Sequence, residues 1–493
     1  MANKSIVFAL INLWGGILYG QGVTNHWVMG YNALMGFPWG GIEINFSNGI
    51  PDTSRVSREM EFYVTNAIIS DTTGNLLFYS NGIYLANANN DTMQNGDNLN
   101  PGTFANNFQG GMPLTQANMI IPVPNDLNKY YLFHETCSYF GNLLQPFQLF
   151  YTLIDISLDG GQGAVISKNN IIVQDTLQRG ELAATRHANG RDWWLIFHKV
   201  NSDLFYKLLI TPYGISTNTQ NFGTLRSNYG GSSAFSPDGT KFVHYNVDTD
   251  IDIFNFDRCS GILSNYINIP INDSAYVGGV SFSPNSNVLY VSSVLNVYQF
   301  DLSSSNIPSS IQTVATWDGF FSPSPPFATN FFLSLLGPDG KIYINSTNSV
   351  LDMHVINNPD SLGLACDIQQ HSLHLPAYNF ATIPNFPNYY LGRDVGSPCD
   401  SLTPVNEIAN NTIPIRINPN PAQNTFYLNY ELPHGENAVV NICNMLGETL
   451  IKKNIYWYFK YLQIDCSTLK NGVYFVKVET KEHSGSAKLV IAR

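Results

Sequence analysis

The sequence predicts an all-β chain: a multi-bladed β-propeller, seven blades favoured, followed by a small C-terminal Ig-like β-sandwich. Three observations carry that reading. The 493 residues include 27 Tyr, 30 Phe, 39 Gly and 26 Pro, while only 12% are charged. Aromatic side chains suit pleated surfaces, and Gly and Pro supply the dihedrals of tight turns. A turn-and-strand unit then recurs along most of the chain, the mark of a repeat architecture. After the Pro-rich stretch around Pro384, Pro398 and Pro404 the texture changes to seven short strands in about 80 residues, the pattern of a small sandwich.

At the N-terminus, Lys4 precedes an apolar run from Ile6 to Tyr19, with small residues at Gly20 and Gly22. This is the layout of a signal peptide over residues 1–22, cut before Gln21 or after Gly22; a buried first strand is the alternative. No other apolar run approaches the ~18 residues of a membrane helix, so no transmembrane segment is expected.

The repeats define the body, Asn25–Gly396. FSPDGTKFVHYN begins at Phe235, FSPNSNVLYVSS at Phe282 and LGPDGKIYINST at Leu336. Looser copies are DTTGNLLFYSNG at Asp71, PNDLNKYYLFHE at Pro124 and NGRDWWLIFHKV at Asn189. Their turn centres, Gly74, Asn128, Gly190, Gly239, Ser286 and Gly340, are spaced by 54, 62, 49, 47 and 54 residues. Such a period fits a four-stranded blade, and 372 residues hold about seven of them, six or eight being the neighbouring solutions. Stacked sandwiches would not repeat one turn signature at this period. The seventh unit is expected to combine strands around Trp27 and Ile42 with the chain's return after Val350, which would close the ring and remove free sheet edges.

Chemistry-bearing patterns are sparse. No GxSxG is present, and GGVSFSP at Gly278 has the wrong spacing for a nucleophile elbow. Gly160, Gly161 and Gly163 precede a strand-like segment, so they read as a turn and not as a phosphate cradle. Asp248, Asp250 and Asp252 alternate, but Ile253 and Cys259 stand where a calcium loop needs Gly and Glu; period-two spacing places them on one solvated strand face. His187 and His198 flank WWLIF, with Glu181, Arg186 and Asp192 near; a channel base and a simple backbone-satisfying role are both open. No nucleophile, base and orienter can be assembled, and no cofactor is implied. Six cysteines allow 15 pairings, of which Cys366–Cys399, bracketing one Pro-rich loop, is the expected disulfide. None lies in a CxxC or at zinc-ligand spacing from a histidine.

The tail strands are expected at Ile415–Asn418, Thr425–Glu431, Ala438–Asn444, Thr449–Ile455, Tyr461–Asp465, Val473–Glu479 and Ala487–Ile491, with Gly447 and Gly472 at hairpin reversals. Residues 397–414 read as the linker and 415–493 as the tail domain. INPNPAQNTFYL, NICNMLGETL, IDCSTLKNGVYFVKV and the closing KLVIAR resemble the successive motifs of the type IX (Por) secretion C-terminal sorting domain. The resemblance implies that Pro419, Asn420 and Pro421 open the domain and that Gly447 marks its central hairpin. It assigns Asp465, Leu469, Gly472, Val473 and Tyr474 to the late turn and strand, and Lys488 and Arg493 to the terminal motif. Asn444 replaces the family's usual acidic residue, and Cys443 and Cys466 replace commoner ones. Such domains are read by the outer-membrane type IX export machinery and usually cleaved afterwards. The body in turn resembles the propeller-like bodies of secreted Bacteroidetes proteins, in NHWVMG from Asn25, GNLLFYSNG from Gly74, YTLIDISLDGGQGAV from Tyr151 and FPNYYLG from Phe386.

Charge completes the picture. The formal charge of −12 divides into +2 from Val405 onward and −14 before it. An acidic body disfavours nucleic acid, whose phosphates require Lys and Arg. The expected protein is secreted or held at the outer cell surface, reaching it through the periplasm, with a body that binds an extracellular peptide or glycan. The competing expectation is a propeller hydrolase or lyase acting on polysaccharide.

Overall fold

The computed structural model describes residues 22–400 and 413–493 apart from 109, 141, 142, 228, 229, 324, 434, 446 and 482. All of the expected signal peptide but Gly22, and most of the linker, lie outside them. The chain divides into two compact units between Asp400 and Ser401.

The first unit is a propeller. Among the described residues its strands form seven antiparallel sheets, spanning 26–56, 67–87, 118–174, 183–226, 231–269, 279–316 and 334–379. Blades 1 and 2 have three strands and blades 3–7 have four, and a two-stranded ribbon, 321–328, precedes blade 7. The repeated turns explain the repeated sheets. In blades 5, 6 and 7 the side chains of Asp238, Asn285 and Asp339 accept the N–H two residues on, while Gly239, Ser286 and Gly340 take positive φ of 74°, 64° and 79°. The looser copy before Lys129 turns on Asn125, φ 64°, rather than on Asn128. Each turn delivers a strand whose residues are largely buried on both faces, such as Trp193–His198 and Val288–Ser293.

Apolar layers lie between adjacent blades. Val243, Ile253, Phe282 and Val291 fill the space between blades 5 and 6, and Tyr290, Val297, Phe331 and Ile344 that between 6 and 7. The ring closes where Trp27, Ile42 and Phe46 of the blade 1 region pack on Tyr343, Met353 and Leu375 of blade 7. The Trp27 ring lies 4.9 Å from Phe46 and 5.4 Å from Tyr343.

Two expectations are corrected here. The strands around Trp27 and Ile42 do not share a sheet with the chain's return after Val350; they form blade 1, and Val350–Ile356 and Ile368–Asn379 complete blade 7. The disulfide joins Cys399 to Cys259, not to Cys366, which is buried against the blade 6–7 layer. Both corrections follow from the segment after blade 7, which we call the strap. Phe380 and Ala381 line a pocket at the end of the ring where the inner strands begin, and Asn385–Asn388 line one at the other end. Between them Asn385 donates through Nδ2 to Asn118 O and Leu182 O, both at 3.0 Å, and its own N–H reaches Asn66 O at 3.1 Å. Tyr389 Oη donates to Ile120 O at 2.7 Å, and Tyr390 Oη lies 2.8 Å from Thr24 Oγ1. Beyond the channel the strap crosses blades 4 and 5. There Arg258 donates to Gly392 O, and a Cβ on Gly190 would lie 2.6 Å from Arg393 N. Arriving over blade 5, Cys399 meets Cys259.

Burial in the ring is also a source of acid sensitivity. His134 is wholly buried, with Nδ1 2.7 Å from Asn100 Oδ1 and Nε2 2.9 Å from Thr152 Oγ1. Burial alone pulls its pKa down from 6.5 to about 3. Below pH 6.5 the unfolded chain therefore takes up a proton that the folded chain refuses. The histidine's contribution is complete above pH 6.5 and is lost as pH falls toward 3. At pH 5.5 the loss is on the order of 1 kcal/mol. Urea unfolding of wild type and His134→Asn at pH 7.0 and 5.5 should show the variant losing less by about that amount. Equal losses would remove His134 from the account.

The second unit is a two-sheet sandwich. Ile415–Asn418, Thr425–Tyr430 and Tyr461–Asp465 form one sheet; Thr449–Ile455, Ala438–Cys443, Gly472–Glu479 and Ser484–Ile491 form the other. Thr425–Tyr430 alternates strictly between exposed and buried, and Phe426, Leu428, Val440, Ile442, Val476 and Leu489 make the core. Gly447 sits in a hairpin at φ 86°, but Gly472 opens a strand reached by crossing between the sheets.

Candidate functional site

The pocket at the end of the channel where the inner strands begin, about 480 Å³, draws residues from blades 3, 5 and 7 and from the connections between blades. Its rim is aromatic. Phe380 lies 4.8 Å from Tyr63, Tyr63 5.1 Å from Phe108, Phe108 5.4 Å from Phe104, and Phe104 5.8 Å from Tyr139. These tilted and edge-on contacts fix a run of five rings, the favoured geometry of aromatic pairs. The short helix Thr103–Asn107 and the turn after it place Phe104 and Phe108, while the strap supplies Phe380. Tyr139 and Tyr276 are 63% and 64% exposed. Thr115, Arg179 and Thr347 bring polar groups to the floor and wall, and the described lining holds no carboxylate.

The acids and histidines expected in a channel divide into two places. His187 is not a channel base. Its Nε2 lies 3.0 Å from Cys259 O and its Nδ1 accepts from Asn189 N at 3.1 Å, so it organises the loop beside the disulfide. Asp192 binds Arg191 and Asn189 there, and Arg186 lies 3.9 Å over the Trp193 ring. Glu181 and His198 meet at the blade 4–5 junction together with His244, which the sequence pattern did not single out. Glu181 Oε2 lies 2.5 Å from His244 Nε2 and 3.6 Å from His198 Nε2, and the two Nε2 atoms are 2.7 Å apart. All three residues are at most 2% exposed. Burial raises the pKa of Glu181, and lowers those of His198 and His244 to about 4 and about 3. Glu135, wholly buried beside them, accepts from Gly180 N at 2.9 Å, and its pKa is pushed well up by burial. The only signal for His244 was its alternation within FSPDGTKFVHYN, which marks a strand residue and nothing more.

The three alternating aspartates do not share a solvated face. Asp248 is exposed, Asp250 accepts from Ile271 N at 2.8 Å, and Asp252 is wholly buried. Asp252 pairs at 3.0 Å with Arg226, itself buried, whose guanidinium lies 4.6 Å over the Phe205 ring. Period two is broken at Asp250, which takes φ 57°.

In the tail, residues far apart in sequence converge at one end. Asn420 Nδ2 donates to Lys488 O at 2.7 Å, and Asn420 Oδ1 accepts from Val490 N at 2.9 Å. Pro419 and Pro421 flank it, both after cis peptide bonds. Arg493 donates to Gln423 O and Cys466 O, both at 2.8 Å, and its N–H reaches Asn471 Oδ1 at 3.1 Å. Asp465 Oδ1 accepts from Ser467 N, Leu469 is buried, and Tyr474 Oη donates to Lys470 O. Val473 pairs with Val490, one step along from the pairing of Gly472 with Ile491. Lys488 is exposed. Gly447 belongs to a separate turn, its N–H donating to Asn444 O, and Asn444 also takes the Glu448 N–H on its side chain.

No curated protein matches the chain. Among solved structures, the body is similar to a "putative 6-phosphogluconolactonase" of Bacteroides fragilis, at 12% identity and a TM-score of 0.41, covering 73% of this chain and 96% of that one. A Lactobacillus plantarum protein is similar at 9% identity and 0.40, covering 73% and 98%, and the "Dos1 propeller" at 11% and 0.31, covering 65% and 90%. At such scores these likenesses carry no argument, and the seven blades rest on this chain's own sheets. Residues 416–492 match the family described as the secretion system C-terminal sorting domain, so the chain carries a type IX sorting tail and is exported to the cell surface or the medium.

Proposed function

We propose that the propeller is a non-catalytic binding module that holds an extracellular glycan at its aromatic mouth. The run of rings from Phe380 to Tyr139, with Tyr276 on the same pocket, carries this reading. Aromatic faces give a sugar's apolar face an area to cover, while Arg179, Thr115 and Thr347 offer polar partners. The competing hydrolase needs carboxyl groups beside the scissile bond, and the described lining has none. In the same reading the leader over residues 1–22 takes the chain to the periplasm before the tail engages the outer-membrane machinery.

A glycan array on the body, followed by calorimetric titration of the strongest sugar, tests the proposal. Tyr63→Ala and Tyr276→Ala should each weaken binding about tenfold, the range of a central aromatic contact. Binding unaffected by either substitution moves the site elsewhere. Selective binding of an extended peptide makes the ligand a protein segment, and release of shorter sugars from the array establishes the enzyme.

A further inference from the structure

We infer that Glu181, His198 and His244 form a binding site for a divalent transition-metal ion of the zinc class, stapling blade 4 to blade 5. The three atoms Glu181 Oε2, His198 Nε2 and His244 Nε2 converge on one point, at mutual separations of 2.5, 2.7 and 3.6 Å. Two imidazoles and one carboxylate are a common zinc ligand set, and imidazole also accepts cobalt, nickel and copper.

Two further observations favour a cation over a hydrogen-bonded cluster. The first is tautomer geometry. His198 Nδ1 lies 3.3 Å from Lys199 O, a partner that can only accept. Its proton therefore sits on Nδ1 and its Nε2 presents a lone pair, the arrangement in which a ligating histidine is held by its outer partner. His244 Nε2 then faces that lone pair and a carboxylate oxygen together, and one proton can serve only one of them. His244 Nδ1 has no hydrogen-bond partner, so the ring gains nothing by turning its proton outward. A cation at the meeting point uses all three lone pairs, with a modest outward shift of the ligands toward the ~2.0–2.1 Å bonds that zinc makes to histidine nitrogen.

The second is charge. Glu135, Glu181 and Asp252 are all buried at this junction, and Arg226 is the buried cation among them. These buried carboxyl groups outnumber the one guanidinium, so the junction is an acidic surround with a single buried counter-charge. Burying uncompensated charge is costly, and a divalent ion supplies the missing positive charge. Gly231 lies beside the cluster: a Cβ there would sit 1.8 Å from Tyr245 O and 3.1 Å from Glu181 Oε1. That glycine and Thr115 also line the mouth pocket, and Thr115 Oγ1 donates to Gly231 O at 2.9 Å.

The test uses the body with zinc and cobalt as probes. Protein made in zinc-supplemented medium and desalted is expected to retain about one equivalent of zinc. Stripping it with a chelator should lower Tm by about 5 °C, reversed by adding zinc. Cobalt added to the stripped protein should give the visible absorption of a four-coordinate site. Glu181→Gln and His198→Gln should each weaken cobalt binding at least about tenfold. Should a variant fail to fold, the wild-type metal content and cobalt spectrum still decide. Less than about a tenth of an equivalent retained, with Tm unmoved by either metal, overturns the proposal. A cobalt spectrum unchanged in folded Glu181→Gln and His198→Gln does so as well.

Discussion

A chain ending at Asp400 is expected to accumulate in the periplasm of a host with type IX export, while the full-length chain leaves the cell. The tail is the part matched to the sorting family, and its motif residues other than Gly447 meet at one end of a sandwich with its own core. The truncated body should still fold, because its apolar layers and its strap close within residues 22–400. The reciprocal fusion, Ile415–Arg493 joined to a neutral reporter behind a signal peptide, should be exported. Immunoblots of periplasm, surface and medium measure both. Asn420→Ala should reduce export too, because Asn420 holds the last strand at Lys488 and Val490. A reporter that stays in the periplasm while a known sorting tail exports it would sink the assignment.

The second large effect concerns the strap. Replacing Cys259 and Cys399 by Ser removes a cross-link spanning 140 residues, and the loop-entropy account puts its contribution at up to about 5 kcal/mol. Asn385→Ala should cost a further 2–4 kcal/mol or so, because it strands the buried carbonyls of Asn118 and Leu182. The double change is expected to lower the denaturant midpoint severely and to open the strap to proteases between Phe380 and Asp400. Denaturant curves under oxidising and reducing conditions, with mass spectrometry of early cleavage products, report both quantities. If the Ser variant unfolds like wild type, ring closure lies in the blade 7–1 layer alone and the strap is passive.

The blades were legible because their turns carry their own chemistry. Pro-Asp-Gly and its relatives fix a reversal locally, so the period could be counted without knowing any distant contact. The sandwich strands were legible for a similar reason, alternation at period two, and most boundaries agree within a residue or two. What escaped depends on partners far away in sequence. The pairing of Cys399 depends on where the strap emerges, and proximity to a Pro-rich loop pointed instead to Cys366. Asp252 looks like its neighbours in NVDTDIDIF until Arg226 is seen to reach it. His244 joins Glu181 only because blade 4 and blade 5 pack side by side, bringing the second strand of blade 5 against the segment that leads into blade 4. The aromatic mouth is likewise a product of the ring, since Tyr63, Phe108, Tyr276 and Phe380 lie in four separate stretches of the chain.

The strap also sets when the molecule can become itself. Its bonds reach back 318 residues from Thr382 to Val64 and 366 from Tyr390 to Thr24. Contacts so distant along the chain are slow to form, because the intervening loop must be closed before they are rewarded. The strap is also the last stretch of the body to be made. Until those residues are made, the groups on Thr24, Val64, Asn118 and Leu182 that the strap binds are without their native partners. The order of synthesis becomes a timer: the same few residues that precede the export tail decide when the cargo ahead of it is finished.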